Sequence, residues 1–243
     1  MSDAFKAIKD SAPRTDYLPL VQPLDFFTSA DKSVIYYVLE YCDGKNMQDL
    51  ISERKNSKNV DEKYALEILR NLASALKLMH INGISHSNLM PENILFSNDS
   101  KVKFINYGYA RLQPKEKLAA MSDSRKEFIS PEQFKKDVRN DVLENGENRN
   151  PTDEKAADIW ALGIIIFELL VFNHPFSGGK TDVSFLEIKH NMYKGEPDKL
   201  PEQYSKQMNE LIKKMLEKDP AKRITAQQIL DVPEVARIPT QNE

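Results

Sequence analysis

The stretch HSNLMPENILF, residues 86–96, gathers polar side chains whose types and spacing could support acid–base or metal chemistry. His86 is the side chain here that titrates near neutral pH. Asn88 and Asn106, eighteen positions apart, are amides, which have no proton affinity near neutral pH. An amide oxygen also binds Mg²⁺ less well than a carboxylate does, and Met90 carries no charge. Asn88, Met90 and Asn106 therefore predict neither a general base nor a magnesium site, and His86 is interpreted as a structural histidine in the core and not as a base.

Hydrophobic patterning predicts two strand pairs followed by helices. Residues 18–27 and 34–40 are rich in β-branched and aromatic residues and are joined by TSADKS, which is typical of a hairpin. Residues 94–96 and 102–105 flank SNDS and predict a second hairpin. In residues 61–79 the apolar positions recur at steps of three and four, which indicates an amphipathic helix. The remaining predictions are helices at 156–172, 185–193, 204–218 and 225–230, a short helical segment at 4–11, and a polar surface loop at 135–155.

Composition excludes several classes of protein. The 243 residues carry a net charge of −3, so no overall basic field attracts nucleic acid. The longest apolar run, IWALGIIIF, is interrupted at Glu168 and is too short to insert in a membrane, so it predicts a buried helix. The single cysteine, Cys42, excludes an intrachain disulfide, and the N-terminus has no signal-peptide core. We expect an intracellular protein, in the cytoplasm or bound in a large cytoskeletal or organellar assembly.

Six segments in order resemble the motifs of eukaryotic protein kinases. HSNLMPENILF resembles the catalytic loop, FINYGYAR the segment around D-F-G, and ISPEQF the A-P-E segment. VLEYCDG resembles the hinge, ADIWALGIIIFELL the central helix with D-x-W-x-x-G, and DPAKRIT the late arginine segment. The resemblance covers residues 18–232. It implies an α+β fold with a mainly helical C-lobe (41–235), a vestigial two-stranded N-lobe with the hinge approach (1–40), and a polar tail (236–243).

The same resemblance implies that the catalytic groups have been lost. The catalytic aspartate is replaced by Asn88, the catalytic-loop lysine by Met90, the metal-binding aspartate by Asn106 and the arginine by Ser87. Asn93 is the one polar catalytic group that matches the family.

The upper half of the cleft departs from the family as well. The first glycine, Gly44, follows the hinge-like Glu40, so no Gly-rich loop precedes the hinge. Lys9 matches the strand lysine only superficially, and residues 4–11 are interpreted as the end of a small-lobe helix or as a new cap. The chain is therefore expected to be a pseudokinase with a truncated N-lobe, not an enzyme, and without a cofactor or metal.

The resemblance also implies three architectural contacts. Glu132 is expected to pair with Arg223, as the A-P-E glutamate pairs with the late arginine in the family. Asp158 is expected to hold the catalytic-loop backbone, and His86 to pack beneath that loop.

A short small lobe would leave the first hairpin uncovered. Two strands alone are marginally stable, and an exposed apolar surface usually marks an interface. A partner protein or a second copy is therefore expected to dock on this surface. The residues predicted to form it are Leu20, Leu24, Phe26, Val34, Tyr36 and Val38.

The function predicted from these observations is a protein-binding scaffold or a structural subunit of a larger assembly, without phosphoryl transfer. The alternative is a regulatory pseudokinase that binds ATP without catalysis, because the backbone around Glu40–Cys42 could still contact an adenine. A weakly active kinase is the remaining alternative.

Overall fold

The structure is a computed structural model, and it describes residues 6, 8–10, 18–57, 60–97, 101–107, 123–134 and 151–238. The fold has two short antiparallel sheets, β1–β2 and β3–β4, which are separated along the chain by two helices; further helices follow β4. The strands are β1 (Pro23–Thr28), β2 (Ile35–Leu39), β3 (Ile94–Phe96) and β4 (Val102–Phe104), with a 3₁₀ turn, Pro91–Asn93, before β3. The helices are α1 (Met47–Ser57), α2 (Glu62–Ile81), α3 (Asp123–Lys126), α4 (Pro151–Val171), α5 (Phe185–Lys194), α6 (Lys206–Met215), α7 (Ala226–Leu230) and α8 (Pro233–Ala236).

Helix α2 follows its predicted pattern. The Asp61 side chain caps its N-terminus by accepting the Lys63 N–H at 3.2 Å. The chain leaves the helix through Gly83 at φ 70°, a left-handed conformation that glycine adopts without strain. The apolar stripe of the helix is buried against α4 and α7. Its buried side chains include Leu69, Leu72, Leu76 and Met79.

Helix α4 forms the centre of the core and is apolar on nearly every side. It begins at Pro151, so the predicted surface loop at 135–155 is wrong for its last five residues, 151–155. Proline is favoured in the first turn of a helix because its missing N–H would have no intrahelical partner there. The preceding part of that predicted loop, 135–150, lies outside the described residues. Among the described residues, no helix is both long and apolar enough to cross a membrane.

The first predicted strand divides into two parts that pair with different neighbours. Leu20 forms a parallel bridge with Phe104 of β4, and its side chain is fully buried. Beyond it, β1 pairs with β2, with Phe26 opposite Tyr37 and Phe27 opposite Tyr36. The assignment of Leu20 to an exposed interface is therefore wrong, because its backbone pairs with the second sheet and its side chain enters the core.

Candidate functional site

The loop that contains His86, Ser87 and Asn88 is held by one carboxylate on α4. Asp158 Oδ2 accepts the His86 N–H at 2.8 Å, and Oδ1 accepts the Ser87 N–H at 2.8 Å. The His80 Nε2 at the end of α2 also lies 2.9 Å from Oδ2. Asp158 is buried, so these donors replace the water that its charge would otherwise require. The contact tethers the loop to α2 and α4, which is the role that the resemblance implies for Asp158.

His86 lies behind the loop in the core. Its ring meets Phe104 edge-on at 5.1 Å, and its Nδ1 accepts the Asn88 N–H at 3.3 Å. The ring proton is therefore on Nε2, a buried atom with no hydrogen-bond partner among the described residues. Burial lowers the pKa of His86 to about 4, so the ring is neutral at pH 7. A ring enclosed in this way supports the loop and has no access to a reacting group.

Three asparagines form a row across the mouth of the loop. The Asn93 Nδ2 donates to the Asn88 backbone oxygen at 2.8 Å, and the Asn106 Nδ2 donates to the Asn93 Oδ1 at 3.0 Å. The side-chain oxygen of Asn88 is buried, and no described residue provides it with a hydrogen-bond partner. The 3₁₀ turn positions Asn93, and a backbone φ of 58° turns Asn106 toward it. The structure thus brings together three residues that the sequence analysis singled out, and the row they form carries no charge.

Ser87 and Met90 complete the set of replaced positions. The Ser87 hydroxyl lies 2.7 Å from that of Ser85, which donates to Glu154 on α4 at 3.1 Å. Met90 is half-buried and packs against the hydrophobic core. Neither side chain provides a cation at the loop.

A buried ion pair joins two distant parts of the helical region. Arg223 donates to both oxygens of Glu132, at 2.7 and 2.9 Å, which is the contact that the resemblance implied. The guanidinium also donates to the Ala156 and Glu217 backbone oxygens and lies over the Trp160 ring at 5.1 Å. Each nitrogen of the buried Arg223 guanidinium therefore donates at least one hydrogen bond.

The hinge segment is fixed to the second sheet. The Glu40 carboxylate contacts Lys103 of β4 and accepts the Gln22 N–H at 3.1 Å. Beyond the hinge, Gly44 lies so close to β3 that an added Cβ would be 1.7 Å from the Phe96 backbone oxygen. The Lys45 backbone oxygen then accepts the Phe96 N–H at 2.9 Å. This connection sets the distance between the hinge and the loop with the asparagines.

Sequence analysis did not identify His80, Ser85, Glu154 or the pair Glu40–Lys103. One signal for His80 was present, because it lies four residues after Leu76 on the buried face of α2, where a polar side chain needs a partner. The partners of the other residues are set by tertiary contacts that no local pattern reveals.

The first hairpin exposes its apolar side chains on both faces. Of the six residues predicted for an interface, all but Leu20 are exposed, and Phe26 is 70% exposed. Tyr37, which was not among the six, is 63% exposed. Among the described residues no group of three or more His, Cys, Asp or Glu side chains could hold a metal ion.

Comparison with known proteins identifies the family. The protein kinase domain model matches residues 16–234. Calcium-dependent protein kinase 6 of Plasmodium berghei (strain Anka) is 30% identical over 223 residues, covering 90% of this chain and 13% of that protein. Calcium-dependent protein kinase 25 of Arabidopsis thaliana is 33% identical over 204 residues, 82% of this chain and 35% of that protein. Human serine/threonine-protein kinase Nek2 is 28% identical over 224 residues, 89% of this chain and 46% of that protein.

The chain thus spans less than half the length of each of these relatives. The match to the family model covers most of the chain, and the mainly helical fold with its small paired strands agrees with the C-lobe and reduced N-lobe expected from the sequence. This chain belongs to the protein kinase domain family.

Proposed function

We propose that this chain is a pseudokinase that transfers no phosphoryl group and acts as a protein-binding scaffold or structural subunit. The observation that carries the proposal is the uncharged row formed by Asn88, Asn93 and Asn106. At two of these positions the family resemblance assigns a carboxylate, one to orient the substrate hydroxyl and accept its proton and one to bind Mg²⁺. Here the Asn93 oxygen already accepts a hydrogen bond from Asn106.

Electrostatics makes the loss of these groups decisive. Phosphoryl transfer depends on positioning and on stabilising charge that develops in the transition state. Removing one preorganised group of this kind costs about 10²–10³ in rate. Asn88, Met90 and Asn106 replace three such groups within a single site, and groups that act as a unit leave little catalysis when several are gone.

The retained contacts have a structural explanation that does not depend on catalysis. Asp158 accepts two backbone N–H groups of the loop and contacts His80 at the end of α2, and Glu132 neutralises a buried arginine. Removing one partner of such a buried pair is strongly destabilising. A domain that has lost phosphoryl transfer still needs these residues in order to fold.

The exposed hairpin provides the surface for protein binding. Its apolar side chains lie on both faces and include Leu24, Phe26, Val34, Tyr36 and Val38. An apolar surface of this kind on a folded domain commonly marks a protein interface.

A nucleotide-binding role without transfer is the second candidate. No hydrogen bond occupies the backbone groups of Tyr41 and Cys42 in the hinge, among the described residues, so these groups could meet the edge of a purine base. Burial raises the pKa of the Cys42 thiol, which favours its neutral form.

A phosphoryl-transfer assay tests the proposal. The chain and its Asn88→Ala variant would be compared for transfer from ATP to a generic protein acceptor in the presence of Mg²⁺. We expect both to match a protein-free blank, because the alanine removes nothing that the reaction uses. Transfer by the unmodified chain that disappears in Asn88→Ala would show that Asn88 takes part in catalysis and would refute the proposal.

A further inference from the structure

The two outer edges of the β1–β2 hairpin differ in their capacity to pair with another strand. The edge of β1 starts with Pro23, which has no N–H, and carries the charged Asp25. The register shifts between these two residues, and the Asp25 carboxylate accepts the Phe26 N–H at 2.8 Å. Proline, charge and an irregular register each block strand pairing. The β1 edge is therefore closed to a further strand.

The edge of β2 has none of these protections. Its sequence, IYYVL, contains no charge and no proline. The Ser29 N–H donates to the Val34 oxygen at 2.9 Å, so alternation along the antiparallel ladder makes Phe27–Tyr36 the next hydrogen-bonded pair. The polar backbone groups of Ile35 and Tyr37 then point away from β1. No strand or bridge among the described residues pairs with them.

We propose that a second copy of this chain pairs with the β2 edge in antiparallel orientation, so that two hairpins form one four-stranded sheet. The inference rests on the proposed protein-binding function and identifies the partner. A two-fold axis at Tyr37 would place Tyr37 against its own copy and Ile35 against Leu39. Every opposed pair is then apolar or aromatic, and no like charges face each other.

Charge and stability both favour a copy of this strand as the occupant. The nearest ionised side chain on this side, Glu40, is already paired with Lys103. A two-stranded hairpin alone is marginal in water, whereas three or more strands with an apolar face are stable. Self-pairing satisfies the open backbone groups and makes both β2 strands central in the sheet.

The exposed apolar area of the hairpin approaches what one partner contributes to a dimer interface. Phe26 and Tyr37 lie opposite each other on one face, and Phe27 and Tyr36 stack at 5.0 Å on the other. At their observed exposure these four rings present roughly 450 Å² of surface. Leu24, Val34, Ile35 and Val38 are also exposed and add on the order of 200 Å². A standard interface uses about 800 Å² from each partner, and the backbone edge adds to the total.

The test is the oligomeric state of the full chain, with two variants that differ only in the edge they alter. Sedimentation equilibrium should show the mass rising from 27.9 kDa toward twice that value with concentration. Tyr37→Pro removes an outward N–H from β2, whereas Phe26→Pro removes an outward N–H from β1, directly opposite. We expect Tyr37→Pro to weaken the dimer about 100-fold. The Tyr37 N–H of each copy would donate to the other copy across the two-fold axis, so the substitution removes two hydrogen bonds. Phe26→Pro should retain the dimer, although it also loses an exposed ring from the same face.

A second pair of variants covers the case in which proline disrupts the hairpin. Tyr37→Lys and Phe26→Lys keep every backbone N–H, and only Tyr37→Lys places two like charges against each other across the two-fold axis. Amide exchange at Ile35 and Tyr37 should slow as the concentration of the unmodified chain rises.

Three outcomes would overturn the inference. The first is a monomer at every concentration. The second is a dimer whose affinity is lowered equally by both members of a variant pair, and the third is a dimer whose affinity does not change when Tyr37 is replaced. A monomer that binds a different protein through this hairpin would refute self-pairing while leaving the proposed function intact. Phosphoryl transfer that depends on Asn88 would refute the proposed function whatever the oligomeric state.

Discussion

A carboxylate and a carboxamide have nearly the same shape, and the difference between them distinguishes Asp158, which holds the loop containing His86 and Ser87, from Asn88 and Asn106. Asp158, on the side of the core, is charged and accepts three hydrogen bonds. Asn88 and Asn106 are neutral, and the buried Asn88 side-chain oxygen has no partner among the described residues. The charge that holds the backbone is thus present, whereas charges that would act on a phosphate are absent from these two positions.

The buried ion pair provides a direct measure of the structural role of one residue. Replacing Glu132→Gln should lower the free energy of unfolding by about 3–5 kcal/mol, because Arg223 would remain buried without a counter-charge. The measurement is urea-induced unfolding followed by circular dichroism. Glu196→Gln is the matched control, since Glu196 pairs with Lys213 at 3.1 Å on the exposed surface. The control should cost less than about 1 kcal/mol, and equal losses in the two variants would contradict the account.

His86 should make stability depend on pH. Burial lowers its pKa from 6.5 to about 4 in the folded state, so between these values the unfolded chain binds the proton more tightly. The contribution of neutral His86 to the free energy of unfolding is complete above pH 6.5 and is lost as the pH falls toward 4. Over this range the free energy of unfolding changes by up to about 1.4 kcal/mol per pH unit. His86→Phe keeps the edge-on contact with Phe104 and should remove this part of the slope.

Unfolding of both proteins at several pH values between 4 and 7 measures the effect. His174, whose pKa burial also lowers to about 4, keeps its own contribution in the variant. The expected result is therefore a shallower dependence on pH, not a flat one. An unchanged slope would show that His86 titrates normally.

At the scale of elements, the hinge and the loop are held in place by short connections between backbones. The chain passes from the hinge to α1 by lying directly on β3, where Gly44 meets the Phe96 backbone oxygen. Leu20, on the other side, bridges to Phe104 of β4. The small second sheet therefore fixes the positions of the hinge and of the segment that contains Asn106.

Gly44, which connects the hinge to α1, has no space for a side chain. Gly44→Ala would place a Cβ 1.7 Å from the Phe96 oxygen, so the backbone must move. The expected loss is about 1–3 kcal/mol of unfolding free energy, with changed amide exchange in β3. At Gly195 the nearest atom to an added Cβ is 3.1 Å away, so Gly195→Ala should cost less and leave β3 unchanged. Similar effects in both variants would show that the close approach is unimportant.

Hydrophobic patterning predicted the helices whose buried face is determined by their own sequence. The stripe of α2 and the apolar α4 were predicted because periodicity and composition determine which face is buried. Leu20 was misplaced because the choice between β2 and β4 as its partner depends on tertiary contacts. Pro151 was assigned to a loop although proline also begins helices, and α1 was missed because its exposed charged residues hide a weak apolar face. The loop motif located Asn88, Asn93 and Asn106, but their mutual hydrogen bonds required coordinates.

At the scale of the whole molecule, a well-packed helical region supports an exposed hairpin. The central helix and its neighbours bury nearly all of their apolar side chains, whereas the hairpin leaves aromatic rings in water on both faces. This contrast supports the proposal that the helical region provides stability and that the hairpin provides a binding surface. It fits a domain that contributes a stable frame and an interface to an assembly.

The claim that this cleft has lost its metal-dependent chemistry is tested most directly by thermal unfolding of the chain with ATP, alone and with Mg²⁺. A ligand at 100 times its dissociation constant stabilises a protein by about 2.7 kcal/mol, which is a readily measured shift. The account predicts that Mg²⁺ adds nothing to any effect of ATP, because Asn93 and Asn106 form an uncharged pair. A shift with ATP alone would support the nucleotide-binding role without transfer. A shift that appears only when Mg²⁺ accompanies ATP would contradict the account, because it would show that the site still holds a metal–nucleotide complex.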